Sequence, residues 1–174
     1  MKRFRVRKAI SPTAGFTILE LLVIIIMVGI LAAIAGPGWL SYMNRQRVSR
    51  ARSDLAQIIQ AAQSEAQQRN ATRVIRFPAA PGVEGGPSVQ VNSTTGVTTG
   101  ATLSVGGEQN GSIRLISNRQ EFEFNYKGEA NQDEVPYIVS VTSEFTNTPR
   151  CIIVPTLLGG IVQADGPDCD VARF

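Results

Sequence analysis

Gly15-Phe16-Thr17-Ile18-Leu19-Glu20, followed by an uncharged run over residues 21–40 rich in Leu, Ile, Val and Ala, decides how this chain reads. Twenty residues at about 1.5 Å of rise each give about 30 Å of helix, the thickness of a hydrocarbon core. Lys2, Arg3, Arg5, Arg7 and Lys8 precede the stretch, and no acid occurs before Glu20. Glu20 is the anomaly. An unpaired ionisable group in lipid costs on the order of a few kcal/mol, so its presence points to a partner or a function.

Working outward, the net charge of +3 misleads. Five of the 17 basic residues lie in residues 1–15, while all 14 acids lie beyond them. The remainder holds 12 basic and 14 acidic side chains, net −2, so the basic balance describes the leading segment and not a nucleic-acid surface. The leading charge is a positive-inside signal that places the rest of the chain outside the cytoplasm, although Arg45, Arg47, Arg50 and Arg52 on the far side weaken the asymmetry. Histidine is absent, which removes Ser-His-Asp and Cys-His chemistry and the commonest metal ligand. Cys151 and Cys169 are the two cysteines. In an exported domain they read as a disulfide closing a loop of about 19 residues, worth roughly 3 kcal/mol on the chain-entropy model. Two unpaired buried thiols are the alternative, and the spacing is not that of a CxxC redox pair.

Residues 15–20 resemble the processing site of type IV prepilins and type II secretion pseudopilins. The resemblance implies that residues 1–15 are a leader, cut between Gly15 and Phe16 by prepilin peptidase, and that Phe16 is then N-methylated. By the same resemblance Glu20 matches the family's glutamate at the fifth mature position; on physical grounds it would neutralise the Phe16 amine of a neighbouring subunit, a pairing that also sets axial register. Pro37 falls where many pilins carry a helix-softening proline. The implied partners are the peptidase, other pilin or pseudopilin subunits, and inner-membrane lipid before assembly. The implied location is the bacterial inner membrane, single-pass with the head outside, and then an extracytoplasmic filament. A rival site, Ala33-Ile34-Ala35, suits ordinary signal peptidase and would yield a soluble secreted protein starting near Gly36.

Four segments follow: a leader over 1–15, an apolar half-helix over 16–40, an amphipathic half-helix over 41–70 and a β-rich head over 71–174. Gly36-Pro37 removes a backbone donor and predicts a bend there. Trp39 and Tyr42 suit an interfacial position. Val48, Ala51, Leu55, Ile58, Ile59, Ala62 and Ala66 recur at three- and four-residue steps, with Arg45, Arg52, Asp54, Gln60, Gln63 and Gln67 on other positions. Strands are expected near residues 73–77, 88–91, 101–105, 112–116, 121–126, 137–142 and 150–154, with a short one within 159–163. Phe122, Phe124 and Tyr126 share one face of theirs, and Glu121 and Glu123 face water on the other. Residues 82–111 are either a meander or a surface loop, and Asn110-Gly111 signals a hairpin. The fold class is α+β and pilin-like: a long N-terminal helix packed on an antiparallel sheet.

The head resembles the GspH/FimT class of minor pseudopilins and pilins, in the aromatic strand and glycine turn of residues 122–128 and in the apolar strand and glycine turn of residues 150–160. Some members bind DNA through arginines after that last turn. Here Gly160-Ile161-Val162-Gln163 carries none, which argues against nucleic acid. Asp165, Asp168 and Asp170 are a weak calcium candidate without EF-hand spacing, and no cofactor is expected. The expected function is a non-enzymatic filament subunit of a type II secretion pseudopilus or a type IV pilus. A minor type IV pilin serving motility, adhesion or DNA uptake is the first alternative, and a secreted or membrane-anchored binding domain that never polymerises is the alternative from another class.

Overall fold

The computed structural model describes residues 15–77, 79–93, 100–107 and 112–171, without the side chains of residues 35–37 and 147. The leader expected over 1–14 lies outside the described residues, as do Pro78 and the Asn110-Gly111 turn. Helix α1 spans Ile18–Arg69. The chain divides into two compact units, residues 1–39 and 40–174, described separately below.

In the first unit, every large apolar side chain from Phe16 to Ile34 is exposed, from 44% at Val23 to 88% at Ile18. A face this long and apolar is a surface awaiting cover. Among the described residues no single helix is long and apolar enough to cross a membrane. The pair Ile18–Ile34 and Gly38–Arg69 meets the requirement together, by length and composition. The bend expected at Gly36 and Pro37 falls where the side chains lie outside the described set, and the backbone there is assigned as helix.

The second unit is built on the later half of α1. Val48, Ala51, Leu55, Ile59, Ala62 and Ala66 are buried to 2% exposure or less, at steps of three and four that hold one face of a 3.6-residue helix. Ala56 joins them, whereas Ile58 is only partly covered. The helix ends in a Schellman motif: Asn70 adopts φ 48°, its N–H donates to Gln67 O, and the Ala71 N–H donates to Ala66 O at 3.1 Å. Glu65 then pairs with Arg69 at 2.8 Å and Arg73 at 3.2 Å, tying the helix end to the first strand.

The strands are β1 Arg73–Arg76, β2 Ser88–Asn92, β3 Ala101–Ser104, β4 Ile113–Ser117, β5 Glu121–Phe124, β6 Tyr137–Ser143, β7 Thr146–Val154 and β8 Val162–Asp165. They form two antiparallel sheets, β3-β2-β1-β5 and β4-β6-β7-β8, where a single sheet was expected. The reason is that β4 leaves its sequence neighbours to pair with β6, as in Leu115 opposite Val141. β3 and β4 are therefore in different sheets. Both sheets turn apolar faces onto the α1 stripe. Ile75, Val89, Phe122 and Phe124 come from the first, and Leu115, Tyr137, Val139, Val141, Ile152 and Val154 from the second. Phe122 stacks on Tyr137 with ring centroids 4.2 Å apart and meets Phe124 edge-on at 4.9 Å.

Tyr126 departs from the expected aromatic face and is 53% exposed. Strand β5 stops at Phe124 because Asn125 starts a turn: its Oδ1 accepts the N–H groups of Lys127 and Glu129 at 2.9 and 3.0 Å. Glu121 and Glu123 are also less solvated than expected, being half-buried. Glu121 pairs with Arg76 at 3.0 Å, directly across the β1–β5 ladder.

Candidate functional site

Gly15 and Phe16 lie ahead of α1, and an added Cβ at Gly15 would meet nothing within 4 Å. Phe16 is 74% exposed. Thr17 Oγ1 accepts the Glu20 backbone N–H at 3.2 Å, and Leu21 N–H donates to Thr17 O at 3.1 Å. Thr17-Ile18-Leu19-Glu20 thus has the sequence of a capping box, with the threonine-to-N3 bond formed. Glu20, expected to act in assembly alone, sits in a local cap as well, for which a threonine three residues before a glutamate at a helix start is the sequence signal. The Glu20 carboxylate is solvent-exposed and makes no ion pair among the described residues. Its position in the first turn also suits the positive end of the helix dipole.

In the head, Cys151 and Cys169 are joined by a disulfide, with Cα atoms 5.3 Å apart. With Ile138 they form a small core on the outer face of β6 and β7, separate from the one around α1. The aspartates beside Cys169 do not assemble a cation site. Among the described residues no three acidic, Cys or His side chains converge. Asp165 instead accepts from Arg52 Nη1 at 2.7 Å, with Arg150 Nε at 3.8 Å. Arg150 also donates to Ser49 Oγ. These contacts fasten the last sheet to the start of the buried helix stripe, and they engage Asp165, one of the three calcium candidates Asp165, Asp168 and Asp170.

Gln63 and Gln67, expected off the apolar stripe, fasten the other end of the head. Gln63 Nε2 donates to Gly128 O at 2.8 Å and Leu158 O at 3.0 Å, and Gln67 Nε2 donates to Lys127 O at 3.0 Å. The two glycine turns they reach have φ 78° at Gly128 and φ 71° at Gly159. A Cβ at either would land on the glutamine amide, and at Gly159 also on Phe124.

Glu134 and Tyr137 are the titratable pair in the head. Glu134 Oε2 accepts the Glu123 N–H at 2.7 Å. Burial holds its carboxyl above the usual range despite that bond, and the Glu123 charge adds to the rise. Tyr137 is fully buried, with the Ser117 side chain beside its hydroxyl. Burial first, and then the Glu134 charge, push the phenol well above its ordinary range.

No family model matches the chain. Over 48 residues it is 44% identical to the type IV major fimbrial protein FimA of Dichelobacter nodosus, covering 28% of this chain and 31% of that protein. Over 50 residues it is 44% identical to a fimbrial protein of Pseudomonas aeruginosa, covering 29% and 32%. The chain thus spans under a third of the length of these relatives. The crystal structure of the type IV minor pilin FimU of Pseudomonas aeruginosa matches with a TM-score of 0.57 at 12% identity, over 71% of this chain and 92% of that one. A second crystal form of FimU gives a TM-score of 0.51 at 14% identity, over 66% and 90%. At such identities the likeness is one of fold, and it covers the α+β arrangement of long helix and antiparallel sheets.

Proposed function

The chain has the fold of a type IV pilin, and on that premise we propose that it is a non-enzymatic subunit of a type IV pilus-like filament. In the finer reading it is a minor pilin or pseudopilin of the GspH/FimT kind. The precursor is inserted in the inner membrane, cut between Gly15 and Phe16 and methylated on Phe16. It then joins a bundle of identical or related helices, where helix contacts replace lipid contacts. The observation that carries the reading is the uncovered apolar face from Phe16 to Ile34 on a chain whose head has the FimU fold. Glu20 at its start would meet the cationic amine of a neighbour's Phe16, two charges that separately are poorly solvated in lipid.

Amino-terminal sequencing of the purified protein tests the processing step. Methylated Phe16 is expected, and a start downstream of Ala35 would leave only an exported head. Glu20→Ala is expected to be cleaved normally yet to enter filaments poorly; normal incorporation would end the pairing argument. Comparing secretion and twitching in a deletion strain then assigns the subunit to a type II secretion pseudopilus or a type IV pilus.

A further inference from the structure

We propose that the part of the head nearest in sequence to the apolar run is a docking surface for anionic phospholipid headgroups of the outer leaflet. This rests on the membrane-anchored reading above. Residues 41–53 contain Arg45, Arg47, Arg50 and Arg52 and no acid. Arg52 is engaged, at 2.7 Å from Asp165. Arg45 and Arg50 are exposed and Arg47 half-buried, and none of the three makes an ion pair among the described residues.

Phe145, at the turn between β6 and β7, is 62% exposed and lines one cleft of about 480 Å³ with Ser41, Arg45 and Asp165. Its neighbour Glu144 is held by Arg114 at 3.0 Å. A bare ring that shares a cleft with the unpaired Arg45 guanidinium has the chemistry of a membrane interface: the ring enters the acyl boundary while the cation takes a phosphate. Tyr42 and Met43, also exposed, extend the apolar part of the surface.

An acidic face of another protein would offer the same charges, and reach decides between the two. Arg45 lies five residues past Leu40, about 7.5 Å of helix rise. The headgroup layer adds about 5–7 Å on each side of the hydrocarbon core. Long arginine side chains cover the remaining distance. After loss of the basic leader, moreover, these arginines would be the cationic residues nearest the apolar run. They sit on the side that topology signals ordinarily leave poor in Lys and Arg. A headgroup-binding role gives that placement a reason.

The test uses the full chain in nanodiscs, with Trp39 as its sole tryptophan. Quenching of native Trp39 by brominated lipids reports anchoring. A second protein, Trp39→Phe with Phe145→Trp, reports head docking. Expected are quenching at position 145 in phosphatidylglycerol discs and little in phosphatidylcholine discs. The anionic-disc quenching should fall away when Arg45, Arg47 and Arg50 are all changed to Gln. It should also fall as added salt shrinks the Debye length from about 10 Å at 0.1 M to about 3 Å at 1 M. Quenching at Trp39 without quenching at position 145 would overturn the docking and leave the anchor standing. Absence at both would remove the anchoring reading and the proposal with it. If the triple Gln chain keeps its lipid quenching but enters filaments poorly, the arginines serve an acidic neighbour and the lipid assignment fails.

Discussion

A glutamate three residues after a threonine has two tasks open to it at a helix start, and Glu20 can be asked which one matters. The Thr17 Oγ1 bond to the Glu20 N–H belongs to a capping box, a motif that accepts Gln as readily as Glu at its last position. Assembly through a neighbour's amine needs the charge. Glu20→Gln is therefore expected to keep the helix start, read as unchanged helical circular dichroism in detergent, while losing filament incorporation. Thr17→Ala should do the reverse, costing the helix about 1 kcal/mol with the Glu20 charge intact. Incorporation unaffected by Glu20→Gln would reduce Glu20 to a capping residue. In the head, Glu134 makes a pH-dependent prediction. Its folded-state pKa is raised, so as pH rises from the ordinary carboxylate value the unfolded chain gives up its proton first. Stability contributed by this group thus falls through that window, and the loss is complete above the raised value. Glu134→Gln should remove the penalty while its amide oxygen still accepts from Glu123 N–H. Its Tm should accordingly gain on the parent's as pH rises from the ordinary carboxylate value through the raised one. A constant difference across that range would refute the burial argument.

Helix α1 shows what periodicity can and cannot reveal about an element. The buried stripe from Val48 to Ala66 was legible because apolar spacing alone identifies a face. Ile59 at its centre is fully buried, so Ile59→Ala should cost about 2–5 kcal/mol in urea unfolding. Gln63 and Gln67 were not legible as contacts, since a flanking amide looks the same in sequence whether it meets water or two carbonyls. Only their four-residue spacing, in step with the stripe, hinted at a shared face. The turns they reach give a sharper test. Gly159 combines φ 71° with a Cβ direction blocked by Gln63 and Phe124, so Gly159→Ala should cost about 1–3 kcal/mol. Gly160→Ala, with open space around it, is the control and should be nearly silent. Equal effects at the two positions would show that strain and crowding at Gly159 are not what matters. Tyr126 marks the opposite limit: alternation extended the aromatic face by one residue, but Asn125 had already begun the turn.

At the scale of the whole molecule, each strand was visible locally, but its partner was not. Pairing β4 with β6 instead of β3 is a long-range choice, made by shared burial against α1 and not by any turn residue. The disulfide, in contrast, was readable from two cysteines in an exported context, and the structure gives it a specific burden. Cys151 lies on β7, Cys169 in the 3-10 turn Gly166–Cys169 that follows β8, and with Ile138 they make up the buried part of the outer cluster. Strand β8 is an edge of its sheet, four residues long and mostly exposed, so little else secures it. Asp165, at its end, pairs with Arg52 on α1 at 2.7 Å, and Ala164 O accepts from the same guanidinium at 3.5 Å. Replacing both cysteines by Ala should therefore lower stability by about 3 kcal/mol. It should also quicken hydrogen exchange over Val162–Asp165 well before exchange changes in the α1 stripe, because the main core does not include the bridge. The double variant exchanging uniformly faster across the head would instead mean that the two clusters unfold as one. The outer cluster would then be part of the same cooperative unit as the α1 stripe.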